Sequence, residues 1–132
     1  MAAGRIIRNN FKEFTDELTG TKVTRLTEPD HVSHHMYFYN RMTTAGSRLL
    51  YCAELEGERQ LYLMDLHTGD AVQLTEGDGL EDYGGLISAE DTHIFYQQKD
   101  GIWKLCLETL EKECVYRIPE GWNGGNWGMS QD

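Results

Sequence analysis

The most chemically suggestive stretch of this chain is Glu28-Pro29-Asp30-His31-Val32-Ser33-His34-His35, which places three histidines within five positions. Neutral imidazoles are ligands for zinc, manganese or copper. No carboxylate or fourth ligand stands at a characteristic spacing, so the favoured use is substrate contact, with His34 or His35 donating to a sugar hydroxyl or carboxylate. Tyr37-Phe38-Tyr39-Asn40 follows at what reads as the first strand of a repeat. Its alternate rings either pack against a neighbouring sheet or, at Tyr37 and Tyr39, present a face on which a sugar ring stacks. Trp122 and Trp127 are large for an exposed loop, and at least one is expected to be buried or to face a ligand. Glu81 and Asp82 form a carboxylate pair with no partner in view and read as a solvated loop. The chain has no serine elbow, CxxC pair, phosphate-cradling glycine loop or acidic calcium loop.

These residues must be positioned by β structure. Between Gly46 and Gly77 three apolar bursts (Leu49 to Ala53, Leu61 to Leu66, Val72 to Thr75) are separated by Glu56-Gly57-Glu58 and His67-Thr68-Gly69-Asp70. Each burst has the length of a strand, and the glycines permit the positive φ of tight turns. The same order returns from Thr92 to Gly121, with a turn at Asp100-Gly101: Tyr51 falls on Tyr96, Leu66 on Leu107 and Gly77 on Gly121. Met42 to Gly46 aligns with Ile87 to Asp91, and Met129 to Asp132 with the start of that stretch. Upstream, Leu18 to Asp30 resembles the last strand of the unit.

A period of about 40 to 50 residues built of four short strands is the signature of a propeller blade. The expected architecture is therefore an all-β propeller of which this chain is the N-terminal part, roughly two and a half blades. Residues 1–35 are a lead-in and outer strand, 36–83 a full blade, 84–126 a second blade, and 127–132 the start of a third. A short strand in residues 1–15 is expected to pair with the last blade and close the ring. The paired Gly84 and Gly85 are expected to let backbone approach closely near the axis.

Twelve basic against twenty-two acidic residues give a net charge of -10, which argues against a nucleic-acid partner. No apolar run is long enough to span a bilayer, and no signal-peptide core is visible, so no membrane partner and a cytoplasmic location are expected. Cys52, Cys106 and Cys114 each sit in a strand burst and fit a reducing compartment as free thiols, although Cys106 and Cys114 flank one hairpin.

The runs VTRLTEPD (Val23 to Asp30), HHMYFYN (His34 to Asn40), GSRLLYCAELEG (Gly46 to Gly57), YLMDL (Tyr62 to Leu66), QLTEGDG (Gln73 to Gly79), GGLISAED (Gly84 to Asp91) and VYRIPEGW (Val115 to Trp122) resemble the start of bacterial oligogalacturonate lyases. The resemblance implies a seven-bladed cytoplasmic propeller that degrades short pectin fragments, with manganese as cofactor. The implied reaction is β-elimination, in which a histidine takes the C5 proton of a uronate and the 4-oxygen leaves. It also implies that the metal ligands and the base lie in later blades, so no catalytic or metal residue is expected in this chain. The chain is then mainly scaffold, partnered by the oligogalacturonide substrate and the remaining blades, with His34, His35, Tyr37, Tyr39, Trp122 and Trp127 as its substrate-contact candidates. Where the family tends to read His-Arg-Asn-Tyr-Phe-Tyr-Gln, this chain has His34-His35-Met36-Tyr37-Phe38-Tyr39-Asn40. The alternative function is a non-catalytic, TolB-like propeller module that binds a protein or sugar partner.

Overall fold

The computed structural model describes residues 2–125 and 127–130. Among them the fold is all-β, and no helix is long and apolar enough to cross a membrane. The strands are β1 (Ile6–Arg8), β2 (Lys12–Thr15), β3 (Lys22–Arg25), β4 (Ser33–His35), β5 (Arg48–Leu55), β6 (Glu58–Asp65), β7 (Asp70–Gln73), β8 (Leu86–Ile87), β9 (His93–Gln98), β10 (Gly101–Cys106) and β11 (Lys112–Arg117). They form a five-stranded sheet in the order β1-β7-β6-β5-β4, a four-stranded sheet β11-β10-β9-β8 and a separate hairpin β2-β3. Every pairing is antiparallel.

Turn chemistry sets the registers. Leu55 pairs with Glu58, leaving Glu56-Gly57 as a two-residue turn with φ of 53° and 79°. Two positive φ values at the centre give the turn whose twist matches that of the flanking strands. In the second sheet Gln98 pairs with Gly101, so the turn is Lys99-Asp100, one residue earlier than the expected Asp100-Gly101. Lys99 takes the positive φ, 54°, and Gly101 serves packing instead: a Cβ there would stand 2.8 Å from Trp103 Nε1.

The two faces of the first sheet are covered by different partners, which is why β5 and β6 read as nearly continuous apolar runs rather than clean alternations. Leu50, Cys52, Leu61 and Leu63 join Ile87, Ile94, Tyr96 and Leu105 of the second sheet in one core, with Met36 and Leu74. On the opposite face Tyr51, Ala53, Tyr62, Met64 and Ala71 are covered by Ile7, Phe11 and Leu26. The second sheet is less well covered: β11 carries Val115 at 47% and Tyr116 at 55% exposure.

The two sheets repeat one another, with small shifts. Tyr51 and Tyr96 are both buried in equivalent central strands, as their alignment anticipates. The entry turns repeat with Thr44 on Ser88 and Ser47 on Asp91, one residue off the expected alignment. In each turn the hydroxyl accepts a backbone N–H four residues on, Arg48 N to Thr44 Oγ1 at 3.1 Å and Thr92 N to Ser88 Oγ at 3.3 Å. Ser47 and Asp91 then take φ of 60° and 61°. Asp91 also accepts Ala45 N at 2.9 Å and pairs with Arg41 at 2.5 Å, while Arg41 donates to the Ser88 carbonyl. This clamp ties the entrances of the two sheets together.

One expectation is corrected and one strand is placed. β1 pairs with β7 through Ile6–Val72, Ile7–Ala71 and Arg8–Asp70 and adds a fifth strand to the first sheet, while β2, also within residues 1–15, forms with β3 a hairpin separate from both sheets. The Arg8 guanidinium holds the Asp70 carboxyl at 2.9 Å, and Asn9 Nδ2 donates to the Gly69 carbonyl at 3.1 Å. The sheet also starts at β4, ahead of the expected Met36, because His34 pairs with Cys52 and His35 with Tyr51. Tyr37 to Asn40 is consequently a turn rather than a strand, closed by Asn40 N donating to Tyr37 O at 2.8 Å.

Candidate functional site

Pairing of β4 with β5 places His34 directly opposite Cys52. Side chains alternate across a strand, so His34 shares the inter-sheet face with Cys52 and Met36, while His35 shares the other face with Tyr51. The three histidines therefore do not converge. His31 Nδ1 lies 2.9 Å from Asp30 Oδ1, His35 Nδ1 lies 2.5 Å from the Met36 carbonyl, and His34 Nε2 lies 3.3 Å from Asp82 Oδ2.

Asp82 belongs to the long connection between β7 and β8, and buried amides hold that connection in place. Gln60 Nε2 donates to Gly77 O at 2.7 Å, and Gln98 Nε2 donates to Glu76 O at 2.8 Å and Asp78 O at 3.0 Å. Thr75 Oγ1 donates to Gln60 Oε1 at 2.7 Å, so the QLTEGDG segment is a hydrogen-bonded strap rather than a loose loop. At its far end the Gly84-Gly85 pair permits close approach of side chains rather than of the expected backbone. A Cβ on Gly85 would come within 2.9 Å of Met36 Sδ and 3.3 Å of both Leu50 and Leu61.

The reading of Glu81-Asp82 as a solvated loop is corrected for Asp82, whose side chain is only 16% exposed. Its Oδ2 accepts from Arg59 Nη1 at 2.8 Å, and Arg59 Nε donates to Glu54 Oε2 at 2.9 Å. The hydrogen bonds to Glu54 and Asp82 raise the Arg59 guanidinium above its ordinary value. Burial, reinforced by the Asp82 charge, pushes the Cys52 thiol up to about 12, so it keeps its proton at neutral pH.

Tyr83 stacks on the His34 ring with centroids 4.2 Å apart and planes at 17°. Its carbonyl accepts Tyr37 N at 3.0 Å, and Asn40 Nδ2 donates to the Gly85 carbonyl at 3.2 Å. The aromatic turn is thereby pinned beside His34. Within it Tyr37, Phe38 and Tyr39 touch one another, with centroids between 4.7 and 5.4 Å apart, and Phe38 and Tyr39 are 78% and 53% exposed. The tryptophans differ in exposure, and neither is fully buried. Trp127 is half-buried, its Nε1 lying 3.3 Å from where a Cβ on Gly84 would stand, whereas Trp122 is 74% exposed. The structure thus gathers His34, Tyr37, Tyr39 and Trp127 around the Asp82-Tyr83-Gly84 segment and leaves His35 and Trp122 apart from it.

Cys52, Arg59, Asp82 and Tyr83 are absent from the sequence-derived candidates. Asp82 was visible as an acid in a glycine-bounded connection, but only the strand register brings Cys52 and Arg59 to it. The three cysteines are free thiols, so the Cys106–Cys114 hairpin carries no disulfide.

A family model described as oligogalacturonate lyase matches residues 1–132. An oligogalacturonate lyase of Dickeya dadantii (strain 3937) is 38% identical over 135 residues, covering 100% of this chain and 35% of the relative. An oligogalacturonide lyase of Pectobacterium atrosepticum gives the same identity and coverage. Among solved structures, the oligogalacturonate lyase from Vibrio parahaemolyticus superposes with a TM-score of 0.91 at 43% identity, over 96% of this chain and 34% of that one. An oligogalacturonate lyase in complex with manganese superposes with a TM-score of 0.88 at 41% identity, over 92% and 33%. The chain spans about a third of the length of the relatives it matches.

Proposed function

The chain belongs to the oligogalacturonate lyase family, and on that premise we propose that it is the opening portion of a lyase that cleaves short oligogalacturonides by metal-assisted β-elimination. The observation that carries this reading is the family match over residues 1–132 joined to a backbone superposition of 0.91 at 43% identity.

The portion described here acts mainly as scaffold in this reading. Its meander sheets are the first blades of a seven-bladed propeller, in the divisions 1–35, 36–83, 84–126 and 127–132. The repeat of Tyr51 at Tyr96 and of the Thr44 turn at Ser88 supports the blade reading, as does a second sheet whose outer face awaits a neighbour. His34, Tyr37, Tyr39 and Trp127 line one wall of the substrate funnel, where the exposed rings offer stacking surfaces to uronate rings. His35 and Trp122 contact substrate only if it reaches beyond that wall. A reducing, cytoplasmic location is supported by three unpaired thiols.

Manganese is the metal of the similar solved complex. The donor cluster described here, His34 with Cys52 and Asp82, does not fit it: manganese prefers oxygen donors, and a thiol is soft. The manganese centre and the proton-abstracting base are accordingly assigned to residues outside this chain. The full-length protein supplied with manganese should convert digalacturonate to an unsaturated uronate, followed by its ultraviolet absorbance. A folded, manganese-loaded protein that leaves digalacturonate intact overturns the reading.

A further inference from the structure

Three donors of different chemistry, from three separate segments, meet between the two sheets. His34 comes from β4, Cys52 from β5 and Asp82 from the β7 to β8 strap, and one ligand atom of each lies within 4.8 Å of the others. The orientation of His34 is informative. Its Nδ1 lies 3.1 Å from the His35 carbonyl, a group that only accepts, so Nδ1 carries the hydrogen. In the neutral ring Nε2 is then a bare lone pair, and it faces the Asp82 carboxylate at 3.3 Å. Arg59 Nη1, 2.8 Å from the same Asp82 oxygen, already offsets part of the carboxylate charge, and the remaining lone-pair contact with Nε2 is relieved by a positive charge on or between the two groups. That charge is either a second ring proton or a bound cation.

The surroundings pre-organise the second possibility. A histidine that donates its far nitrogen to a backbone carbonyl is the usual supported metal ligand, fixed in tautomer and in ring direction. The Tyr83 stack and the β4–β5 pairing hold the ring, and Arg59 holds the carboxylate. Cys52 is 1% exposed, while the His34 and Asp82 side chains retain 19% and 16%, so the cluster is closed behind the sulfur and open in front.

We propose that His34 Nε2, Cys52 Sγ and an Asp82 carboxylate oxygen form a binding site for a thiophilic divalent cation, zinc before others, with water as the fourth ligand. Sulfur, imidazole and carboxylate together are a zinc donor set, and zinc accepts three protein ligands plus water in a tetrahedron. On binding, the Cys52 S–H bond breaks, its proton passes to solvent and the sulfur bonds to the metal. The thiolate and the carboxylate together balance the ion's two positive charges, and Arg59 stays on Asp82 with its own charge met by Glu54. The site does not depend on the lyase reading, since it uses no substrate group and no manganese.

The test is a titration of the full-length protein with cobalt(II), which takes zinc's place and reports its ligands. The expected result is a near-ultraviolet sulfur-to-cobalt charge-transfer band that saturates at one ion per chain and is abolished by added zinc. Cys52→Ala should remove the band, and His34→Gln should weaken cobalt and zinc binding by at least about tenfold. Absence of the band in the folded wild-type protein overturns the proposal, as does a band that survives Cys52→Ala and so originates at Cys106 or Cys114. Should Cys52→Ala fail to fold, undiminished binding in both His34→Gln and Asp82→Asn overturns it equally. A cobalt ion held by nitrogen and oxygen donors elsewhere gives no sulfur band, so failure of this site and failure of the lyase reading are read separately.

Discussion

Arg59, at the turn end of β6, reaches Asp82 with Nη1 2.8 Å from Oδ2 and ties the strap before the second sheet to the strand pair of the first. The Asp82-Tyr83 backbone in turn carries the aromatic turn, because Tyr83 O accepts Tyr37 N at 3.0 Å. Arg59→Gln should therefore leave the core intact and loosen this chain of contacts. Amide hydrogen exchange is expected to accelerate at Tyr37 and Asn40 and to remain unchanged at Leu50 and Leu63. Unaltered exchange at Tyr37 would show that the turn holds itself.

Leu61 is fully buried between the sheets, so Leu61→Ala removes packing from both at once. A cost of about 2–5 kcal/mol is expected in denaturant titrations. In the 132-residue chain, where no neighbour covers the last strand, Val115→Ala should cost within about 0.5 kcal/mol by the same measurement. Equal costs at the two positions would contradict the placement of the core.

Gly85→Ala tests close approach rather than backbone freedom, since its added Cβ would meet Met36 Sδ at 2.9 Å. Overpacking of this kind costs about 1–3 kcal/mol. Because the obstacle is the sulfur of a flexible side chain, Met36→Ala in the same molecule should recover part of that loss. A double variant no better than the two costs added together would place the strain on Leu50 and Leu61 instead.

The Asp91 clamp makes the junction of the sheets acid-sensitive. Its carboxyl lies below the ordinary value of 3.8, first through the Ala45 N–H and then through Arg41. A folded-state value below the unfolded one contributes stability that is complete above the unfolded value and disappears as pH falls through the folded one. Wild-type thermal midpoints should accordingly fall more steeply below about pH 4 than those of Asp91→Asn. Parallel profiles for the two proteins would exclude this carboxylate as a source of acid lability.

On the proposed lyase activity, Tyr39→Ala in the full-length protein should raise KM for digalacturonate about threefold to tenfold with kcat nearly unchanged. That is the range of one stacking contact, and it reports binding rather than chemistry. An unchanged KM would assign Tyr39 a role within the Tyr37-Phe38-Tyr39 cluster alone.

The sheets were legible in the sequence because apolar bursts and glycine turns act locally. Tyr51 and Tyr96 could be equated by eye, and both are buried in equivalent central strands. Single-residue placements were less legible. The Lys99-Asp100 turn precedes its glycine because Lys99 itself accepts a positive φ, and Gly101 is used against Trp103. The candidate site was harder still. Adjacency made His34 and His35 equivalent candidates for substrate contact, whereas strand alternation sends them to opposite faces. Cys52, Arg59 and Asp82 are separated in the chain and meet only through register and the glutamine-held strap.

The pairing of Arg8 with Asp70 also imposes an order in time. Their strands lie 62 residues apart, and at about 5–20 residues per second of synthesis the first waits some seconds for the second to be made. During that interval Ile6 and Ile7 are a nascent hydrophobic edge with open hydrogen-bonding groups. Arg5 and Arg8 on either side place positive charge at both ends of that edge, the standard protection against mispairing with another emerging chain. The arginine that anchors the finished sheet is thus also one of the two charges that flank its apolar strand before the partner strand exists.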